Sequence, residues 1–347
     1  MWLNQKKEQN QQDIVSLLNG IASNGIELSI DELIQYQNKI RLIDLAARKS
    51  QHGQMSGNYL SRSKGRGMEF DEVRHYQNGD DIRAIDWRVT ARTGKTHTKI
   101  FREEVERPVL VVTDLSSSML FGSQLLFKSV QAAHLAALVT WHAKGRGDRV
   151  GGIIFNEHKH SELKPRSRKQ GVLHYLHSLV ETHQHTLLLQ QQGQSESHAS
   201  SPLSSEQLND SANAAFEENC ARLRQLARPG SLVHLITDGN HISQETIRHL
   251  SHISRHCELV VCLISDPLEH DLPTSKYKMN VAVTDGISKQ QLLIGDAASA
   301  KDYHQQASQL AQQKQDLLLK AGARVLHFSS GQTLEQQLTD GVASWKR

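Results

Sequence analysis

Four short apolar runs, three of them closing on a polar residue and each separated from the next by other text, constrain this chain more than any other feature. RPVLVVTD (107–114) carries no polar side chain between Val109 and Val112, and DRVGGIIF (148–155), SLVHLITD (231–238) and ELVVCLIS (258–265) repeat the theme. A strand with one wet face alternates apolar and polar residues, so runs of this kind predict strands covered on both faces, as in a parallel sheet. Helices are predicted between them, from Ser123 to His142 and from Ser243 to Arg255. A long helix, Asp302 to Ala321, precedes a further strand, ARVLHF, and a closing helix from Thr333 to Val342. Strand, helix and strand in repetition predict an α/β fold with a doubly wound, mostly parallel sheet and right-handed crossovers.

The remaining text is less regular. Residues 1–30, rich in Gln and Asn, are expected to form a flexible arm. With Asp31 as cap, Leu33, Tyr36, Ile40, Ile43 and Ala47 recur at three- and four-residue steps and predict an amphipathic N-terminal helix to Arg48. Six glycines punctuate the charged stretch from Ser50 to Thr98, which predicts loops and short strands. The expected division is therefore an arm (1–30), a helix with a loop and short-strand segment (31–106), and an α/β domain (107–347). Within the last, the Gln, Ser and His tract at 181–212 predicts a solvated loop, and 279–294, alternating about Asp285-Gly286, predicts a hairpin.

Charge and cysteine usage narrow the partners. Forty Lys and Arg against thirty-seven Asp and Glu leave +3, so nucleic-acid binding would need the positive charge gathered in one patch. The richest stretch, Arg62 to Arg107, mixes eleven basic with nine acidic residues, which favours internal pairing, and no nucleic-acid partner is expected. Cys220, Cys257 and Cys262 form no CxxC pair, which suits a reducing compartment. The opening residues lack a signal-peptide core and no apolar run reaches about eighteen residues, so a cytoplasmic location without direct membrane insertion is expected.

In open α/β sheets, ligands bind beyond the carboxyl ends of the strands. Two such ends carry chemistry: Asp114-Leu115-Ser116-Ser117-Ser118 after the first strand, and Thr237-Asp238-Gly239 after the third. Asp114, Ser116 and Ser118 alternate, which sends three oxygens to one side of an extended turn, and Asp238 arrives from another strand. Hard oxygens converging there suit Mg²⁺ or Mn²⁺. The same residues also suit helix capping and turn closure.

In that order and spacing, RPVLVVTDLSSSM, GDRVGGIIFN and LVHLITDG resemble a von Willebrand factor A-like domain, Rossmann-type in its sheet, with a metal-ion-dependent adhesion site. The upstream text GRGMEFDEVRHYQNGDDIRAIDWRVTARTGKTHTKIFREEVERP and the downstream SDPLEHDLP resemble the bacterial domain of unknown function 58 family. The resemblance covers about residues 30–345. It implies Asp114, Ser116, Ser118 and Asp238 as metal ligands, the carboxylates through water. The adhesion pattern also asks for a threonine in the loop after the second strand, but residues 156–171 hold none, leaving Ser161 or Ser167 to substitute. Arg166 and Arg168 stand about where that ligand belongs, and a guanidinium there would take over part of the cation's task of receiving an acidic partner group.

The segment from Gly65 to Arg92 presents Asp80, Asp81, Arg83 and Arg88 around one large residue, Trp87. It serves either as an ion-pair network within the fold or as a docking surface, with Gly79 turning the acidic pair outward. No nucleophile stands beside an identifiable base, and phosphate-loop, GxSxG and HExxH signatures are absent. The expected function is a non-enzymatic adaptor that grips an acidic side chain at the strand-end site, with or without Mg²⁺. The family resemblance implies a MoxR-type AAA+ ATPase partner in chaperone-like or stress-related maturation. The alternative is a metal-dependent hydrolase or phosphotransferase using Asp114 and Asp238.

Overall fold

The computed structural model describes residues 13–43, 68–103, 106–196, 205–273, 279–284 and 289–340. They form two compact units, Met55–Glu106 on the one hand and Met1–Gln54 with Arg107–Arg347 on the other.

In the larger unit the apolar runs become the strands of one sheet. In chain order these are β3 (Pro108–Asp114), β4 (Arg149–Phe155), β5 (His160–Arg166), β6 (Leu232–Thr237), β7 (Glu258–Ser265) and β10 (Arg324–Ser329). They lie in the order β10-β7-β6-β3-β4-β5, all parallel except β5, which runs antiparallel to β4. Two-face burial is explicit in β3: Val109 and Val111 join one apolar cluster and Leu110 and Val112 the other. The first cluster collects α1 (Ile30–Ile34), α3 (Lys128–Gly145), α4 (Arg168–Glu196) and α8 (Leu334–Asp340). The second collects α5 (Ser205–Leu226), α6 (Gln244–Ser254) and the end of α7 (Ala297–Lys320). Gly152 permits the close approach of β4 to β3: its φ is +155°, and a Cβ there would lie 1.8 Å from the Val111 carbonyl oxygen.

Several expectations are corrected. The cap of the first helix is Ser29, which accepts from the Glu32 amide in a capping box, not Asp31. That helix is interrupted by a 3₁₀ turn, Gln35–Lys39, and is helical again at 41–43, while residues 44–48 lie outside the described residues. The expected arm over 1–30 is also too long, because residues 13–20 are helical and Ile21 and Leu28 are buried in the core. Leu33 and Tyr36 dock fully buried against α3, where the Trp141 indole donates to the Leu33 carbonyl, and each such burial is worth about 1.5–3 kcal/mol.

The predicted solvated loop at 181–212 is helical on both sides of residues 197–204, which lie outside the described residues. Gln propagates a helix nearly as well as Leu, and Thr182, His183 and Thr186 are buried on one face of α4, so polar composition concealed a docked helix. Residues 160–166, read as loop, form β5; its alternating exposure and Pro165 both suit an edge strand. The predicted hairpin is present as β8 (Met279–Thr284) and β9 (Lys289–Ile294), paired from Met279↔Ile294 to Thr284↔Lys289, while its turn at Asp285-Gly286 lies outside the described residues. Among the described residues no helix is long and apolar enough to cross a membrane.

The smaller unit pairs β1 (Met68–His75) antiparallel with β2 (His97–Glu103). Between them Asp86 caps α2 (Trp87–Thr93) by accepting from the Arg88 and Val89 amides, and Gly94 ends it in the left-handed region at φ 68°.

Candidate functional site

The chain leaves β3 toward β4 on one side and later returns as β6 on the other, so the carboxyl ends of β3 and β6 mark the switch point of the sheet, the place where open α/β sheets bind their ligands. Asp114 and Asp238 stand at those two ends, both buried. Both carboxylate oxygens of Asp114 accept a hydrogen bond: Oδ1 from the Ser116 amide at 3.0 Å, and Oδ2 from the Thr237 hydroxyl at 2.7 Å. Burial, reinforced by the charge of Asp238, raises the Asp114 pKa. Ser116 Oγ lies 3.2 Å from Ser118 Oγ, and Ser118 is among the groups that hold the Asp238 pKa down. The structure thus brings together Asp114, Ser116, Ser118 and Asp238, as the sequence predicts.

A lysine completes the cluster. Lys128, the first residue of α3, places Nζ 2.9 Å from Asp238 Oδ2 and 2.6 Å from Glu269 Oε1, with its side chain 1% exposed. Asp238 also accepts from the Asn240 amide at 3.0 Å and from Asn240 Nδ2 at 2.8 Å. Burial pulls the Lys128 pKa down, but the two carboxylates outweigh it and the net shift is upward. Against its own burial, Asp238 is held low chiefly by the Lys128 charge. On the rim, Lys314 of α7 donates to Asn240 Oδ1 at 2.7 Å and reaches the Asp238 carbonyl at 3.5 Å.

The neighbouring groups hold the loops in place. Asn156, just past β4, accepts from the His158 and Lys159 amides, and its Nδ2 donates to Thr186 Oγ1, which donates to the Leu115 carbonyl. Glu157 accepts from the amide and hydroxyl of Ser117 at 2.7 and 2.6 Å.

These residues fit a divalent cation poorly. Both oxygens of Asp238 are committed, one of them to a buried ammonium, and a dication within about 4 Å of that ammonium would meet roughly 8 kcal/mol of repulsion at an effective dielectric of 20. Among the described residues no three His, Cys, Asp or Glu side chains are grouped as metal ligands would be.

Arg166, Ser167 and Arg168 are not part of the cluster, which corrects the expectation for the missing threonine. Because β5 runs antiparallel, Arg166 pairs with Val150 at the amino end of β4, whereas the cluster lies beyond Phe155. Five strand residues separate the two ends, roughly 16 Å. Arg166 instead lines a cavity of about 190 Å³ with Val150, Glu162 and His174.

In the smaller unit, Asp80 accepts from the Gln77 amide and from Arg74 at 2.7 Å, and Asp81 caps a 3₁₀ turn at the Arg83 amide. Both carboxylates close turns. Trp87 is 67% exposed and Ile82 66%, so Trp87 anchors no core. Sequence reasoning missed Lys128, Glu269 and Lys314. For Lys128 a signal existed: a lone cation in the apolar helix text LLFKSVQAAHLAALV has to find a buried partner.

Fold and site together define an α/β protein with a charge-paired polar cluster at the switch point of its sheet. Residues 72–325 match the family described as Protein of unknown function DUF58, and the chain belongs to that family. Over 149 residues it is 33% identical to the uncharacterized protein Rv1480 of Mycobacterium tuberculosis and to the uncharacterized protein Mb1516 of Mycobacterium bovis, the match covering 43% of this chain and 43% of theirs. The chain thus spans less than half the length of these curated relatives. Among solved structures, the conserved hypothetical protein BatB from Bacteroides thetaiotaomicron is matched over 62% of this chain and 98% of its own, at 13% identity and a TM-score of 0.33. An aerotolerance-related membrane protein from Bacteroides fragilis is matched over the same shares at 12% identity and 0.30.

Proposed function

We propose that this chain is a non-enzymatic interaction module of the von Willebrand factor A type whose strand-end cluster receives an acidic side chain of a protein partner. Lys314 is the observation that carries the reading. Its half-buried ammonium is held by the carbonyl oxygens of Asn240 and Asp238, and among the described residues no carboxylate reaches it within ion-pair distance. Burial lowers its pKa, and a carboxylate supplied from outside would offset that penalty with a charge-assisted hydrogen bond. Asn240, exposed beside it, holds the ammonium on the rim through Oδ1 while its own amide groups donate to Asp238.

A phosphotransfer role for Asp114 is disfavoured, because its side chain is fully buried, where a substrate phosphate would have to displace the Ser116 amide and the Thr237 hydroxyl to reach it. The partner proposed from the family resemblance is a MoxR-type AAA+ ATPase, met in the cytoplasm during chaperone-like or stress-related maturation of other complexes.

The test is calorimetric titration of the purified full chain with the MoxR-type ATPase of the same organism, for wild type and Lys314→Glu. Wild-type binding that weakens at least about tenfold in the variant, the loss of roughly 1.4 kcal/mol, supports the reading. Equal affinity for both removes the cluster from the interface, and no wild-type binding removes this partner.

A further inference from the structure

We infer that Lys128 is a built-in cation: its ammonium does the charge-neutralising work that a divalent metal would do between these strand ends, so that the cluster operates without metal and becomes a cation site when the lysine charge is removed. The inference deepens the interaction reading above by stating how the site is kept in its receiving form.

Four observations converge. The ammonium is inside the cluster, bridging Asp238 of one strand end to Glu269 of the loop after β7 at 2.9 and 2.6 Å. Its side chain is 1% exposed and that of Asp238 2%, so neither charge is screened by water and each needs the other. Oxygens of the kind that would ligate a cation lie at the same strand ends: Ser116 Oγ stands 3.2 Å from Ser118 Oγ, and Asp114 Oδ2 and the Thr237 hydroxyl that precedes Asp238 are 2.7 Å apart. The position is fixed by the fold: Lys128 opens α3, and the Lys128 amide is tied to the Phe121 carbonyl and the Phe127 amide to Gly25. A lysine tethered at its own helix start cannot leave when metal is offered, unlike a bound ion that exchanges with solvent.

Mn²⁺ titration of the full chain, followed by electron paramagnetic resonance and by melting with and without Mg²⁺, tests this directly. Wild type is expected to leave the aqua-ion signal unchanged and its melting midpoint unmoved by Mg²⁺. Lys128→Met, which keeps the length and removes the charge, is expected to bind one Mn²⁺ per chain and to melt higher with Mg²⁺ than without. Adding Asp238→Asn to that variant is expected to abolish the Mn²⁺ signal change. Stoichiometric Mn²⁺ binding by wild type overturns the inference, and so does a folded Lys128→Met that binds none. Should Lys128→Met fold only when Mg²⁺ is present, the inference is supported. Should it fold under neither condition, Lys128→Gln, which can still donate to Asp238, is put through the same titration and read by the same outcomes. None of these measurements involves a partner, so their result stands apart from success or failure of the ATPase titration.

Discussion

The strand-end cluster and the turn at Asp80 are built from the same kind of pair, an aspartate and a cationic side chain, yet they behave as different objects. Lys128 and Asp238 meet at 2.9 Å with side chains 1% and 2% exposed, whereas Arg74 and Asp80 meet at 2.7 Å with side chains 37% and 17% exposed. Distance does not separate them; desolvation does. In the cluster, removing one partner strands a buried charge, while at the turn water takes the place of the lost partner. The same pairing therefore carries a buried charge at the sheet and a water-exchangeable one at the turn.

The largest expected break of that contrast is Lys128→Met, which leaves Asp238 uncompensated and should cost about 3–5 kcal/mol of stability by urea unfolding in the absence of metal. Arg74→Met, the matching change at the turn, should leave the urea midpoint nearly where it was; equal losses in the two variants would end the comparison.

Next comes the acid limb. Burial, in a side chain fully enclosed between α3 and α4, lowers the His183 pKa to about 4. A histidine held below its unfolded value contributes its full share above pH 6.5 and loses it as pH falls toward 4. Over that window the loss approaches roughly 3 kcal/mol, and His183→Gln should flatten the acid limb of the stability profile by that amount. An unchanged profile would show that this histidine is not enclosed as described.

A smaller and opposite effect is expected from Asp114→Asn. The raised pKa of Asp114 means that wild-type stability from this group declines as pH rises above the ordinary carboxylate value, and the variant should remove that decline. Smallest of all is Trp87→Ala, which should change stability by less than about 0.5 kcal/mol because the ring is 67% exposed. A loss of ATPase affinity in this variant without a loss of stability would assign the smaller unit a docking role; a large drop in stability would show instead that the ring is packed.

Much of the architecture was legible. The run 258–265 coincides with β7 to the residue, and the capped helix after Ser243 and the hairpin strands at 279–294 lie where their patterns place them, because side-chain periodicity and caps are local properties. Less legible were α4 and β5, where polar residues serve buried faces and edges that a hydrophobic pattern does not mark.

The site divides in the same way. That Asp114 and Asp238 would meet followed from strand-end position alone, since a parallel sheet gathers all its carboxyl ends along one edge. The partners of Asp238 did not follow: Lys128 is 110 residues away in the chain, and the carbonyl of Asp238 is 76 from Lys314. The sense of β5, parallel or antiparallel, decided whether Arg166 would lie beside the cluster or at the far end of the sheet. Local sequence determined the strands, the caps and the aspartates, because those depend on neighbours along the chain. Only the tertiary structure decided which charges would share a dry interior, because desolvation depends on what packs around a group and not on what precedes it.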